Sequence, residues 1–317
     1  MPSVLEMARL ILPAVLVLEL IALVADIVII TTRTTRAPRV RAPARAGAGR
    51  RADDPSSAAS EATADTGGAA PSATAAVTAK PKVGLGAYAT GATIVALALL
   101  TVYLVARTIE TGHGPFANGH EFAVAFVWGV LAAYLVVERL TRLRLLAVAV
   151  LPVAACLTLY AISLGADVQP LAPALQNNLL LTLHVGFAIL AYGAACVSFA
   201  AAALYLLRPR LKLITIKPET LDDLGHRAAV VTFPLLTIMI VLGALWADTA
   251  WGSYWSWDPK ETAALVTWLI YAAFLHGRVV RGWRGRKAAW LLVLGFAAVL
   301  FAYFGNHFLG GLHSYGG

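Results

Sequence analysis

The sequence predicts an all-α fold, a polytopic integral membrane bundle of about eight transmembrane helices, from its composition and its apolar runs. The 317 residues are 59% hydrophobic and only 13% charged, and their mean hydropathy is +0.74, which excludes an ordinary water-soluble domain. Apolar runs long enough to cross a bilayer recur without the alternation of a transmembrane β-strand. Such runs must be helices, because hydrocarbon offers the backbone no water to bond.

The predicted spans divide the chain into three parts. They lie at residues 8–30, 84–106, 121–138, 145–164, 178–207, 228–247, 262–277 and 288–307. The first, residues 1–30, is an N-terminal transmembrane helix, since it is too long for a signal peptide and no cleavage site follows. Residues 31–82 lack aromatic side chains and are rich in Ala, Pro, Arg and Ser, which predicts a disordered cytoplasmic linker. Residues 83–317 form a seven-helix domain.

The distribution of basic residues predicts how the bundle is oriented. Of the 25 Lys and Arg residues, all but Arg9, Arg107 and Lys260 belong to one side of the bundle. The positive-inside rule makes that side cytoplasmic and places both termini outside the cytoplasm, in a multi-pass protein of the cell (plasma) membrane. Because these residues lie between apolar runs, the net charge of +8 does not indicate a nucleic-acid partner.

The two cysteines exclude several classes of protein. Cys156 and Cys196 both fall inside apolar runs, and no CxxC spacing occurs. The chain is therefore not a disulfide-stabilised domain, a thiol oxidoreductase or a c-type cytochrome.

The Trp-rich segment, residues 246–261, is predicted to be an outer loop between the sixth and seventh spans. It reads WADTAWGSYWSWDPKE and holds half of the chain's eight tryptophans. An aromatic belt at the membrane interface explains one or two tryptophans, but four favour a binding face on the outer side. Trp251, Trp255 and Trp257 alternate with small residues such as Gly252, which suits stacking against a planar macrocycle.

The end of this segment predicts the start of a helix. Asp258 precedes Pro259, and Glu261 follows Asp258 by three residues. This spacing is that of a capping box with proline in the first helical position.

Seven histidines are present, and those at the ends of spans are candidate ligands. His184 and His313 are both predicted on the side of the Trp-rich segment, although each is also explained as an interfacial histidine bonded to water or to a carbonyl. His276 is predicted at the cytoplasmic end of the seventh span, where an ionisable group suggests a function or an interface beside Arg278. His307 remains an alternative to His313. The others, His113, His120 and His226, are predicted to be solvated loop residues.

Two acidic residues interrupt the first span. Glu19 and Asp26 lie seven residues apart and share one helix face, which is predicted to contact protein. A proton-relay role is the alternative.

Three motifs give the chain a resemblance to a known family. WGSYWSWDPKE resembles the tryptophan-rich WWD signature of haem-handling membrane proteins of cytochrome c maturation. GHGPFANGHEF at residues 112–122 and GLHSYGG at the C-terminus are similar to segments of the System II branch, of the CcsA or ResC type. The resemblance covers residues 112–317.

The resemblance implies a function in c-type cytochrome biogenesis. It implies haem transport across the membrane and covalent attachment of haem b, a transiently bound substrate, to CxxCH apocytochrome c at the extracytoplasmic face. The chain would be the haem-binding subunit of a haem lyase (synthetase) complex, with a ResB-type membrane subunit as its partner and a thiol-reducing, thioredoxin-like pathway acting indirectly.

The resemblance also implies which residues contact haem, while no catalytic residue is assigned. His184 and His313 would be axial ligands of the haem iron at the outer face, and His276 a ligand within the membrane, paired with a histidine of the ResB-type subunit. The full implied set is Trp251, Gly252, Trp255, Trp257, Asp258, His184, His313 and His276.

Other functions remain open on the sequence alone. A haem exporter or chaperone without ligation activity would use the same residues. A structural subunit of an assembly complex would use the tryptophans only as interface anchors. The System I branch shares the Trp signature, but the number of spans and the C-terminal GLHSYGG fit System II better.

Overall fold

The computed structural model describes residues 3–35, 84–168, 175, 178–211, 214, 216–305 and 309–313. In these ranges the chain forms helices and no strands: α1 (Val4–Thr35), α2 (Leu85–Thr111), α3 (Gly119–Thr141), α4 (Ala147–Ser163), α5 (Asn178–Leu207), α6 (Pro218–Trp251), α7 (Pro259–Val280) and α8 (Arg286–Phe304). A short 3-10 turn, Arg144–Leu146, precedes α4. All eight are long and apolar enough to cross a bilayer, which confirms the predicted all-α membrane bundle. The chain is therefore a multi-pass membrane protein.

Two helices are longer than their apolar runs. Helix α6 begins at Pro218, ten residues before the predicted span, because its first turns are polar and hydropathy detects only the apolar part. Pro218 occupies the first helical turn, where a missing N–H costs nothing. Helix α1 continues to Thr35, so the first residues of the predicted linker are helical, and the rest of the linker lies outside the described residues.

Helix α6 also extends past its predicted end, and this corrects the placement of two tryptophans. Trp246 and Trp251 belong to the last turns of α6, whereas the sequence had placed them in the connection. Gly252, with φ of 73°, ends the helix in the left-handed conformation that glycine favours. The connection to α7 is residues 252–258.

Helix α5 lies in the middle of the bundle and packs against α3, α6 and α8, while α1 packs against α2 and α4. Helices α3 and α5 cross closely at two glycines. A Cβ atom at Gly193 would clash with the backbone carbonyl of Gly129. Small residues at this crossing let the backbones approach, as is typical of packed helices in membranes.

The two acidic residues of α1 face the interior, as predicted. Glu19 and Asp26 are 0% and 2% exposed. Thr158 Oγ1 donates a hydrogen bond to Glu19 Oε1 at 3.2 Å, and an Arg144 guanidinium nitrogen lies 3.6 Å from Asp26 Oδ1. Both carboxyl groups therefore meet polar groups of this same chain.

A buried ion pair fixes the connection between α2 and α3. Arg107 Nε lies 2.8 Å from Glu121 Oε1, and both side chains are almost wholly buried. The second carboxylate oxygen of Glu121 accepts a hydrogen bond from Ala117 N at 2.6 Å, and Asn118 caps α3 through Glu121 N at 2.9 Å. The GHGPFANGHEF segment is thereby held at the end of the bundle where α6 ends and α7 begins, which we call the Trp end.

Replacing Glu121 with Ala should destabilise the protein strongly, because it leaves the buried Arg107 guanidinium without its carboxylate. Loss of one partner of a buried ion pair lowers the free energy of unfolding by about 3–5 kcal/mol. Thermal unfolding in detergent measures the loss.

An exposed ion pair on α6 provides the control: Arg227 Nη2 lies 2.8 Å from Asp223 Oδ2. Asp223→Ala should change stability by less than about 1 kcal/mol. Equal melting temperatures for the two variants would contradict the structural role of the Arg107 ion pair.

Candidate functional site

A cavity of about 570 Å³ opens at the Trp end of the bundle. Helices α3, α5 and α6, the start of α7 and the C-terminal residues 310–313 surround it. Its volume lies within the usual range for small-molecule and cofactor sites. Among the described residues, three histidines line the cavity: His120, His184 and His313.

His184 lies on α5 and is fixed against α6. Its Nδ1 lies 2.8 Å from the backbone carbonyl oxygen of Met239. A carbonyl only accepts, so Nδ1 donates, and a neutral imidazole then carries its lone pair on Nε2. Gly243 leaves room for the ring, because a Cβ there would lie 2.7 Å from His184 Cε1. The contacts thus set both the tautomer and the position of this imidazole.

His313 is held by Asp258, which lies at the start of α7. His313 Nδ1 donates to Asp258 Oδ1 at 2.9 Å, and Leu312 N donates to Asp258 Oδ2 at 2.7 Å. Gly311 has a φ of 141°, and a Cβ at this position would clash with Asp258 Oδ2. A carboxylate that accepts from one imidazole nitrogen and leaves the other for a metal is a common support for histidine ligands.

The hydrogen bonds to Asp258 keep its carboxylate charged. Burial raises the pKa of Asp258, but the bonds from His313, Lys260 N and Leu312 N outweigh it and lower that pKa from 3.8 to about 2. Burial also lowers the pKa of His313, against the opposing effect of Asp258. A neutral imidazole beside a charged carboxylate is the state in which His313 can bind a metal.

Trp246 lies between the two histidines. Its ring stacks on that of His184, with centroids 6.2 Å apart and an interplanar angle of 12°. The His313 ring lies 5.7 Å from Trp246 and packs edge-on against Trp251 at 4.8 Å. Trp246 is 2% exposed and lines the cavity. Sequence reasoning did not select Trp246 as a site residue, although it lies within the Trp-rich segment.

The connection between α6 and α7 supplies the rim of the site. Trp255 lines the cavity and packs edge-on against Trp257 at 5.7 Å. Trp257 is 68% exposed and adopts a positive φ of 59°. Gly252 provides the turn out of α6 and does not line the cavity.

The predicted capping box at the start of α7 is confirmed. Asp258 Oδ1 accepts from Lys260 N at 2.9 Å, and Glu261 accepts from Asp258 N at 3.2 Å. Asp258 therefore both caps α7 and holds His313.

His276 lies away from this cavity. It is the sixteenth residue after Lys260, which on α7 places it several helical turns from the Trp end. Its side chain is exposed on the outside of the bundle. The structure thus brings His184 and His313 together and leaves His276 apart.

The remaining histidines differ from the predictions in part. His120 was predicted to be solvated, but it is 3% exposed, because its Nε2 bonds Tyr103 OH at 2.8 Å and its Nδ1 bonds the Ala161 carbonyl at 2.9 Å. His226 lies within α6, half-buried against Phe274, and is not a loop residue. His307 lies outside the described residues.

Comparison with known proteins gives a consistent match. Residues 117–313 match the family described as cytochrome C assembly protein. The chain is 40% identical over 255 residues to the cytochrome c biogenesis protein CcsA of Guillardia theta, covering 71% of this chain and 84% of the relative. It is 38% identical over 286 residues to the CcsA protein of Microcystis aeruginosa, covering 71% and 87%. For the CcsA protein of Synechocystis sp. the identity is 35% over 301 residues, covering 74% and 90%.

The Asp258→Asn variant should release the C-terminal residues 309–313 from α7. An amide has one oxygen, so it cannot accept from both His313 Nδ1 and Leu312 N as the carboxylate does. Hydrogen–deuterium exchange of a peptide covering these residues should become faster in the variant.

The stabilisation that the Asp258 carboxylate provides should decrease at acidic pH. Because the folded pKa of Asp258 lies below its unfolded value of 3.8, the stabilisation is present above about pH 4 and is lost as the pH falls towards 2. The difference in melting temperature between wild type and Asp258→Asn should shrink over that range. A difference that stays constant down to pH 2 would contradict the role of the carboxylate.

Proposed function

Because the chain belongs to the cytochrome c assembly protein family and acts in cytochrome c maturation, we propose that it holds haem in the cavity at the Trp end, between His184 and His313, for attachment to an apocytochrome c. Haem b is the substrate and is bound transiently. The attachment complex is a System II haem lyase, with this chain as its haem-binding subunit.

One observation carries this proposal: two histidines from distant parts of the chain are fixed around one tryptophan at one cavity. Each is bonded through Nδ1, His184 to a carbonyl and His313 to a carboxylate, and both rings lie within 6.2 Å of the Trp246 ring. This arrangement makes Nε2 the coordinating atom of each neutral imidazole. Axial imidazoles are a common way for proteins to hold haem iron.

The residues around the cavity fit a planar, largely apolar macrocycle. The cavity is lined by aliphatic side chains of α5 and α6 together with the rings of Phe122, Phe126, Tyr192, Trp246 and Trp255. Aromatic rings offer flat apolar contact area to such a ligand. The volume of about 570 Å³ also suits a ligand of this class.

The chemistry of attachment requires positioning more than a protein nucleophile. Each cysteine of a CxxCH apocytochrome c attacks as its thiolate, so that sulfur bonds to one carbon of a haem vinyl group and a proton, equivalent to the one the thiol released, adds to the other; those cysteines come from the client. The residues of this chain would hold the substrate in a fixed orientation, which accelerates such a reaction by proximity. Tyr254 and Trp257, which are 58% and 68% exposed, lie where an arriving peptide meets the site.

His276 supports a second element of the proposal, the path of haem through the membrane. An ionisable side chain on the outside of a membrane span is costly when it faces lipid. We propose that a ResB-type membrane subunit packs over His276 and that a histidine of that subunit completes a pair of haem ligands. With the Trp end extracytoplasmic, as the positive-inside rule predicts for this plasma-membrane protein, haem would then move from His276 to the cavity.

His184→Gly and His313→Gly should each reduce the haem bound to the complex of this chain with its membrane partner. The remaining haem should lose the low-spin spectrum of two axial imidazoles, because one ligand is missing. Added imidazole should restore part of that spectrum by entering the space left by the side chain. Visible absorption of the reduced and oxidised protein measures both effects.

His113→Gly is the matched control, since His113 lies at the Trp end but does not line the cavity. It should keep wild-type haem content and spectrum. Unchanged spectra and unchanged cytochrome maturation in the His184 and His313 variants would overturn the assignment of the ligands.

Gly243→Ala should disturb His184 without removing it. The added methyl group would lie 2.7 Å from Cε1 and 2.9 Å from Nδ1 of the imidazole, so the ring must shift away from α6. The bond to Met239 O should weaken, and the two-imidazole spectrum should be partly lost.

The control is Gly186→Ala on α5, where a Cβ meets no atom within 4 Å. This variant should keep the wild-type spectrum. If Gly243→Ala also kept it, with normal haem content, His184 would not be an axial ligand in the position described.

A further inference from the structure

Lys260 is a cation at the cavity that forms no ion pair with any of the described residues. It lies in the first turn of α7, is half-buried and lines the cavity. Its Nζ lies 5.1 Å from the centroid of the Phe122 ring, a cation–π contact. Among the described residues, no carboxylate oxygen lies within 4.0 Å of this Nζ.

The neighbouring carboxylates are occupied elsewhere. Asp258 accepts hydrogen bonds from His313, Leu312 N and Lys260 N. Glu261 accepts from Ser256 N and Asp258 N. Both carboxylates thus serve the start of α7 and the connection before it. Asp258 attracts the Lys260 ammonium group over a longer distance, but neither carboxylate forms an ion pair with it within 4.0 Å.

The position of Lys260 is unfavourable unless an anion arrives. The first turn of a helix carries the positive end of the helix dipole, so a cation there is repelled. A partly buried ammonium group also loses hydration that a cation–π contact replaces only in part. A negative charge on a ligand at this place is attracted both by the Lys260 ammonium group and by the positive end of the helix dipole.

A second donor at this cavity has no acceptor among the described residues. Trp255 lines the cavity, and its indole Nε1 is buried with no hydrogen-bond partner among the described residues. An indole N–H only donates, so it needs an oxygen from outside the described chain. A carboxylate offers oxygens to a cation and to an N–H at once.

We propose that Lys260, together with the Trp255 N–H, binds a carboxylate of the ligand in this cavity, namely a haem propionate. This inference rests on the proposed function and extends it. Two axial imidazoles leave a macrocycle free to rotate about the axis that joins them. A charged contact at the edge of the ring stops that rotation, so Lys260 determines which edge faces the apocytochrome.

The test compares haem with haem dimethyl ester, in which both propionates are neutral. Each is titrated into the purified complex of this chain with its membrane partner, as wild type, Lys260→Met, Lys260→Arg and Trp255→Phe. The matched control is Lys287→Met, because Lys287 is also the second residue of a helix, α8, but is exposed at the opposite end of the bundle.

Lys260→Met should weaken the binding of haem by roughly 10- to 100-fold, the range of a charge-assisted hydrogen bond, and leave the affinity for the ester nearly unchanged. Lys260→Arg should retain most of the affinity for haem, and Trp255→Phe should lose a smaller factor. The two-imidazole spectrum should persist in all of these variants. Lys287→Met should match wild type for both ligands.

Other outcomes overturn the inference in distinguishable ways. If Lys260→Met binds both haem and the ester with wild-type affinity, the carboxylate contact is wrong while the haem site stands. If Lys260→Met loses both ligands equally, Lys260 has a structural role only. If wild type binds neither ligand, the proposed function fails and the inference fails with it.

Discussion

The site depends on one buried carboxylate. Asp258 begins α7 by capping it, and the same two oxygens hold the C-terminal residues through His313 Nδ1 and Leu312 N. Because these bonds keep the carboxylate charged, one side chain fixes the direction of a helix, the path of the tail and the tautomer of an imidazole. Gly311 permits this, since a side chain there would occupy the space of the Asp258 oxygen.

The second half of the site depends on how α5 packs against α6. His184 is directed by the Met239 carbonyl and by the space above Gly243, and its ring lies flat against Trp246. The two imidazoles therefore reach the cavity by independent means, one from the middle of the bundle and one from the tail. Trp246 packs against both rings. Damage to either support should alter one ligand and leave the other in place.

The sequence predicted those features that depend on local pattern. Hydropathy located all eight helices, and the spacing of Asp258, Pro259 and Glu261 predicted the capping box that the structure contains. Hydropathy could not find the true start of α6 at Pro218, since polar helical turns carry no apolar signal. At the other end of α6 it stopped the span at residue 247, so Trp251 was assigned to the loop although the helix continues to it.

Features that depend on tertiary contacts could not be predicted from the sequence. His120 looked solvated, but it is buried by Tyr103, seventeen residues earlier, and by the carbonyl of Ala161, forty-one residues later. The motifs did select His184, His313 and Asp258, yet no spacing could show that Asp258 supports His313 or that Trp246 lies between the histidines. The buried ion pair of Arg107 and Glu121 is a further example, because its two residues lie on different helices.

The measurement that tests the account most directly is the low-temperature electron paramagnetic resonance spectrum of the oxidised wild-type complex, loaded with haem and recorded with its visible absorption. Two neutral imidazoles fixed through Nδ1 predict low-spin ferric haem with bis-histidine ligation. A high-spin signal, or a complex in which this chain carries no haem while its partner is fully loaded, would contradict the account. The aromatic residues of the Trp end would then be an interface between subunits.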